Sequence, residues 1–371
     1  MLQNEMSDPM TILQNRWYNG LTHQLGLAID MFQIGQPSPP IAPSDIGLWS
    51  YQNVIPPASL TFNRRIYSDT LFFDEYVALV SQIEFPESAF EQIIGEKNCL
   101  NWSTFLKDQG PPPANQLPGL FRNWAMRNDP SVANEGTAAL TQMLFIQAAQ
   151  QALLPYQGIN ARPPDFNGNY ASLLEILVNS TNIDFSFNTG DFTDDVQNTW
   201  TGGVNFGFDG LWVGSSTNSR LTREFAASQV AVETSFQKYT VWTSTPGFWY
   251  NSSLLNRAYS NRKTPPWPQK PNPTWEEFFG SDGSLKQFIA ALVVVDGVNA
   301  TVTSDAIYCK TDQQTILRNT SKGLWPFYVP SSDRVTNTVT FHADDNTMTI
   351  NVDTRTGNPI VIGYNVLSLN R

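Results

Sequence analysis

The chain carries few side chains able to shuttle a proton or attack a carbonyl. It has two histidines, His23 and His342, and two cysteines, Cys99 and Cys309, in 371 residues. A Ser-His-Asp or Cys-His site would need one of those imidazoles beside a nucleophile and an orienting acid. Residue spacing puts His23 inside a helix and His342 on the polar face of a strand, where a lone imidazole is ordinarily structural. No G-x-S-x-G elbow occurs, and among directly adjacent residues only Lys310, next to Cys309, is basic.

Carboxylates are the remaining catalysts and metal ligands. Asp191, Asp194 and Asp195 cluster in the loop that begins at Asn188. Hard cations take oxygen ligands from flexible loops, so calcium is the cofactor this cluster suggests. The spacing does not match an EF-hand loop, and the competing reading is a solvated turn with helix-capping aspartates. Asp344-Asp345 reads as a hairpin tip, and Glu276-Glu277 as part of a helix cap. A glycosidase pair depends on separation in space, which a sequence does not display.

Aromatic residues are the enriched class. Trp249, Tyr250, Trp267, Trp325 and Tyr328 are the candidate ligand-binding residues, because tryptophan and tyrosine among asparagine and threonine suit sugars or apolar protein surfaces. The competing reading is an aromatic-rich core. Trp267 stands apart, since five prolines between Arg262 and Pro273 predict an extended surface loop with an exposed indole.

Composition narrows the partners. The formal net charge is −11, and only 15% of residues are charged. With 32 Asn, 32 Thr, 29 Ser and 8 Lys, the polar surface must be largely uncharged. No basic stripe is available for nucleic acid, and an anionic bilayer would repel the chain on average. No Cys/His cluster offers a structural zinc site. Cys99 and Cys309 read either as two buried thiols or as an interdomain disulfide. The N-terminal stretch lacks the apolar core of a signal peptide, and no apolar run is long enough for a transmembrane helix. These features predict a cytoplasmic or leaderless-released protein.

The elements that must position these residues change character near position 180. Up to there, apolar residues recur at three and four. Examples are Ile12, Leu13, Trp17, Leu21 and Leu25, then Leu71, Phe72, Tyr76, Leu79 and Val80, and a long apolar helix between Gly136 and Leu154. Tyr170 to Val178 reads as a last helix. Beyond it, alternation takes over. Val230, Val232, Thr234 and Phe236 share one strand face, and after Lys238 the phase slips to Tyr239 and Val241. A bend or bulge near Gln237–Lys238 is therefore required. Thr245-Pro246-Gly247-Phe248 suggests a type II turn, Asn251 or Ser252 a helix cap, and Thr274 with Glu277 a capping box. The run Phe288–Val295 suits a strand buried on both faces. Asp296-Gly297 after it predicts a hairpin, with Val298, Ala300 and Val302 returning antiparallel. Gly202-Gly203 suggests another hairpin. Val335, Val339 and Phe341 should pair with Met348, Ile350 and Val352.

The predicted fold is α+β: a helical N-terminal half, 1–178, followed by a mainly antiparallel β-rich half with short helices, 182–371. The leading functional expectation is a non-catalytic binding or self-assembling structural protein using aromatic and strand-edge surfaces. Its partner would be itself or a protein or glycan surface. The alternatives are a leaderless pore-forming or glycan-binding toxin-like protein, and a carboxylate-dependent hydrolase.

Overall fold

The computed structural model describes residues 8–35, 40–56, 71–85, 87–110, 112–195, 209–262, 266–268, 271, 273–281, 283–344 and 347–369. Among them are twelve α-helices, mostly in the N-terminal half, and one antiparallel sheet of seven strands. The expected α+β class is what the chain adopts. The helices are α1 (Pro9–Leu25), α2 (Asp45–Gln52), α3 (Phe72–Gln82), α4 (Glu87–Ile94), α5 (Glu96–Gln109), α6 (Leu117–Asn128), α7 (Ala133–Leu153), α8 (Tyr170–Val178), α9 (Arg220–Ala226), α10 (Ser252–Ser260), α11 (Trp275–Phe279) and α12 (Lys310–Asn319). The strands are β1 (Phe32–Ile34), β2 (Ile183–Asn188), β3 (Val230–Thr243), β4 (Gln287–Ser304), β5 (Val335–Phe341), β6 (Met348–Thr354) and β7 (Ile360–Ser368).

The chain divides into two compact units that interleave along the sequence. One, formed by Phe72–Asp165, Pro246–Lys286 and Leu369–Arg371, is helical. Its core gathers Phe90, Ile94, Trp102, Phe121, Trp124 and Leu140. In α7 the buried positions Ala133, Gly136, Ala139 and Leu140 keep the three-and-four spacing read from the sequence. Gly136 lies on its buried face, where a Cβ would fall on the Phe121 ring and against Ile94. The backbones of α4, α6 and α7 come together because nothing stands in that space.

The other unit, Met1–Leu71, Phe166–Thr245 and Gln287–Ser368, contains the whole sheet. Strand order is β1-β7-β4-β3-β2, and β6 and β5 extend from the second half of β4. The 18-residue β4 is central: β3 lies along one side, while β7 and then β6 share the other. Both sheet faces are covered. Trp17, Leu21, Val293, Val295, Val298 and Val302 belong to one core. Leu48, Leu173, Trp242, Leu292 and Val294 belong to the second. The run Phe288–Val295 is thus packed from both sides, as its unbroken hydrophobicity requires.

Asp296-Gly297 does not turn a hairpin. The strand continues through it, and Val298, Ala300 and Val302 extend β4 rather than return beside it. Gly297 adopts φ 70°, which a glycine reaches without a Cβ penalty, and the Asp296 carboxylate accepts bonds from the amides of Gly357 at 2.8 Å and Asn358 at 2.9 Å. The register runs Phe236↔Val298 and Lys238↔Asp296, so Gln237 and Gly297 are a matched pair of extra residues. Side-chain parity flips on both strands there. Val232 and Phe236 face the same core as Tyr239, and Val295 the same core as Val298. The slip inferred near Gln237–Lys238 is this distortion, which the Asp-Gly pair serves from the neighbouring strand.

Local signals at element ends mostly hold. Asn251 accepts the Leu254 amide at 3.0 Å to cap α10, and the Glu277 carboxylate accepts both the amide and the hydroxyl of Thr274. Two differ. Gly247 is not among the glycines at positive φ, so no type II turn forms. Its amide instead bonds the Asp165 carbonyl at 2.9 Å, with no room for a Cβ. Thr311 or Asp312 reads in the sequence as the cap of a helix running to about Ser321, but both lie inside α12, which begins at Lys310 with Cys309 as its cap residue. Gly202-Gly203 and Asp345 lie outside the described residues.

Candidate functional site

The aromatic residues expected to bind ligand are mainly core. Trp249 and Trp325 are fully buried and Tyr328 likewise, while Tyr250 is half-buried. Trp325 packs edge-on against Trp17 and Phe225. Trp249 packs against Phe73 and Tyr76 in the helical unit, and its indole N–H donates to the Asp165 carbonyl at 2.8 Å. Trp267 is only 6% exposed. The expected surface indole is instead buried against Phe278 and Phe279 and donates to the Ala258 carbonyl at 2.8 Å. A proline-rich segment lies on the surface by default, but one large apolar side chain can still anchor it inward. Burial pushes the Tyr250 phenol up to about 12 and Tyr328 well above its ordinary value.

The polar candidates do not converge. Among the described residues no group of three His, Cys, Asp or Glu is arranged to hold a metal ion, so Asp191, Asp194 and Asp195 are not drawn together as the calcium reading required. Asp195 lies beside His23, Asn19, Thr22, Ile29 and Phe192 in an open hollow of about 480 Å³. There Asn19 donates to the carbonyls of Thr193 at 2.7 Å and Asp195 at 3.2 Å, which ties the loop to α1. The His23 ring sits edge-on to Phe192 at 6.1 Å. His342 is exposed and shares a 3.0 Å bond with the Thr349 hydroxyl. Neither cysteine forms a disulfide. Cys99 packs against the helical core, whereas Cys309 is exposed rather than buried and donates to Asp312 at 3.0 Å. Among the described residues no helix is long and apolar enough to cross a membrane.

The sheet edges carry more information. An unpaired strand edge displays donors and acceptors to any passing strand, and proteins blunt such edges. β1 is three residues long. The outward carbonyl of Ser186 on β2 accepts from Gln24, and that of Asn188 from the Asp191 amide; Asp184 adds an exposed charge. The second half of β3 is met at its start by Ser180, whose hydroxyl accepts the Tyr239 amide, while Lys238 of that strand bonds the Val178 and Ser180 carbonyls; beyond it Val241 and Thr243 turn their backbone groups outward, and no described residue bonds them there.

β5 is closed over only its first half. Val335 exchanges both backbone bonds with Ser332, at 3.2 and 3.0 Å, on the side away from β6. The Asn337 side chain ties Val329 and Ser331 beside it. Toward β6, the Arg334 carbonyl accepts from Arg355 and the His342 amide donates to Thr347. Alternation then sends the N–H and C=O of Val339 and Phe341 outward, and no described residue bonds them there. The open stretch, Thr338-Val339-Thr340-Phe341, holds no charge and no proline.

A hollow of about 270 Å³ adjoins the open end, between the start of α12 and the end of β5. Tyr308 and Phe341 meet edge to face at 6.2 Å within it, and Lys310, Gln313 and His342 also line it. Tyr308 donates to the Leu221 carbonyl at 3.2 Å. Burial, with Glu224 and Asp312 nearby, holds its phenol well above the ordinary value, so the hydroxyl stays neutral. Sequence reading placed the β5 pairing but not this site, because Lys310 and Phe341 are distant in the chain and neither belongs to a motif.

No known protein family, no characterised protein and no solved structure is recognisably similar to this chain.

Proposed function

We propose that the chain is a non-catalytic binding or self-assembling structural protein that makes contact by adding a strand to the open half of β5. One observation carries the reading: Val339 and Phe341 present outward backbone groups with no cover among the described residues, on a stretch without charge or proline that adjoins a hollow, whereas β1, β2 and the starts of β5 and of the free half of β3 are short, capped or charged. Strand addition draws its affinity from main-chain hydrogen bonds, so it needs an edge of this kind rather than a reactive side chain. The burial of Trp249, Trp267 and Trp325 favours the strand edge over those indoles as the contact surface.

Val339→Pro tests it. The proline removes an outward donor without touching the ladder to β6. Light scattering over a concentration series, with pull-down of extended peptides, should show association by the wild type and its loss in the variant. Thr340→Lys, which places a charge on the same stretch, should act in the same direction. A wild type that remains monomeric throughout and captures no peptide overturns the reading.

A further inference from the structure

We propose that the partner strand is an acidic peptide, whose carboxylate enters the hollow beside α12 and is held between Lys310 and His342. This inference rests on the edge reading above and names the occupant of that edge. The hollow is placed for it. Phe341 belongs to the open edge and also to the hollow's lining, with His342 next in the chain. A strand paired to Val339 and Phe341 would therefore deliver its next side chain or its terminus there.

Charge selects the occupant. The chain has 33 acidic against 22 basic residues, yet beside the neutral Tyr308 phenol the hollow is lined by the basic residues Lys310 and His342, and by no described carboxylate. The nearest acid in α12, Asp312, is turned to Arg220 at 2.5 Å and accepts the Cys309 thiol at 3.0 Å. Lys310 has no ion-pair partner among the described residues. At about 270 Å³ the hollow is below the usual size of small-molecule sites, roughly 300–1,000 Å³. It suits one side chain or a chain terminus. Specificity in strand addition comes from such side pockets, while the ladder supplies affinity.

Fluorescence anisotropy with a labelled Thr-Val-Thr-Val-Glu peptide and its Gln counterpart tests the inference on the full-length chain. The acidic peptide should bind up to about fivefold more tightly than the neutral one, the effect expected of one exposed charge contact at Lys310. The double variant Lys310→Met, His342→Gln should erase that difference and keep the shared binding. Val339→Pro should abolish binding of both peptides. Equal affinities for the two peptides, with Val339→Pro still abolishing both, would refute the acidic occupant and leave the edge reading standing. Binding indifferent to Val339→Pro would remove both. Self-association lost in Val339→Pro, with neither peptide bound, would assign the edge to a second copy and overturn the inference.

Discussion

Asp296 is a carboxylate at 6% exposure. It is tolerated there because it accepts two backbone amides, Gly357 and Asn358. A buried charge without partners would be expelled or neutralised. Asp296→Ala leaves both amides unpaired, and the expected loss is about 2–3 kcal/mol. Asp296→Asn keeps one acceptor and should lose less. Urea midpoints of the three proteins measure both, and equal midpoints for Ala and wild type would refute the role. Asp209 behaves differently. Burial raises its carboxyl above the ordinary value of 3.8, and the Gly214 amide offsets this only in part. A carboxyl raised on folding stabilises the native state below its unfolded pKa, and that contribution is lost as pH rises through the folded value. Asp209→Asn should therefore be more stable than the wild type near neutrality, with the gap closing toward about pH 4. Melting temperatures across that range decide it, and a gap constant with pH would count against the mechanism.

At the scale of elements, close approach is what a sequence conceals. Gly136 reads as a helix start, yet it is an interior residue of α7 whose missing Cβ admits Phe121 and Ile94. Gly136→Ala would gain helix propensity, but overpacking should dominate, and a net loss of about 1–3 kcal/mol is expected. A thermal melt followed at 222 nm would show it, and an unchanged or raised melting point would mean the space is not filled as described. Long periodic elements were legible. Tyr170–Val178 and the bulk of α1 and α7 follow from apolar spacing alone. The short helices α2 and α9 were not, since eight and seven residues give too few turns for a period to register. Asp-Gly was misread as a chain reversal because its signal is conformational. It announces a positive φ, and a strand irregularity uses that φ as readily as a turn. The candidate site was illegible for another reason. Its open backbone groups depend on which neighbours cover an edge, and no residue type encodes a missing neighbour.

The whole molecule is built from segments that leave one unit and return. The helical unit takes Phe72–Asp165 from early in the chain and Pro246–Lys286 from late in it, and Trp249, Leu254, Phe278 and Leu285 of the late segment are fully buried. A fragment ending at residue 178 thus lacks part of that core. It should show helical circular dichroism without fixed near-ultraviolet bands, and be cut rapidly by protease. A fragment as resistant as the full chain would show that the early helices suffice. The same dependence on distant segments runs through the sheet, where β4 meets β3, β6 and β7. Its inserted residue, Gly297, faces Gln237 across the ladder. Losing either residue by in-frame deletion would misalign one strand against the other and turn half of its side chains inside out. Losing both together would restore simple alternation across this part of the β3–β4 ladder, so two lesions harmful alone should repair each other.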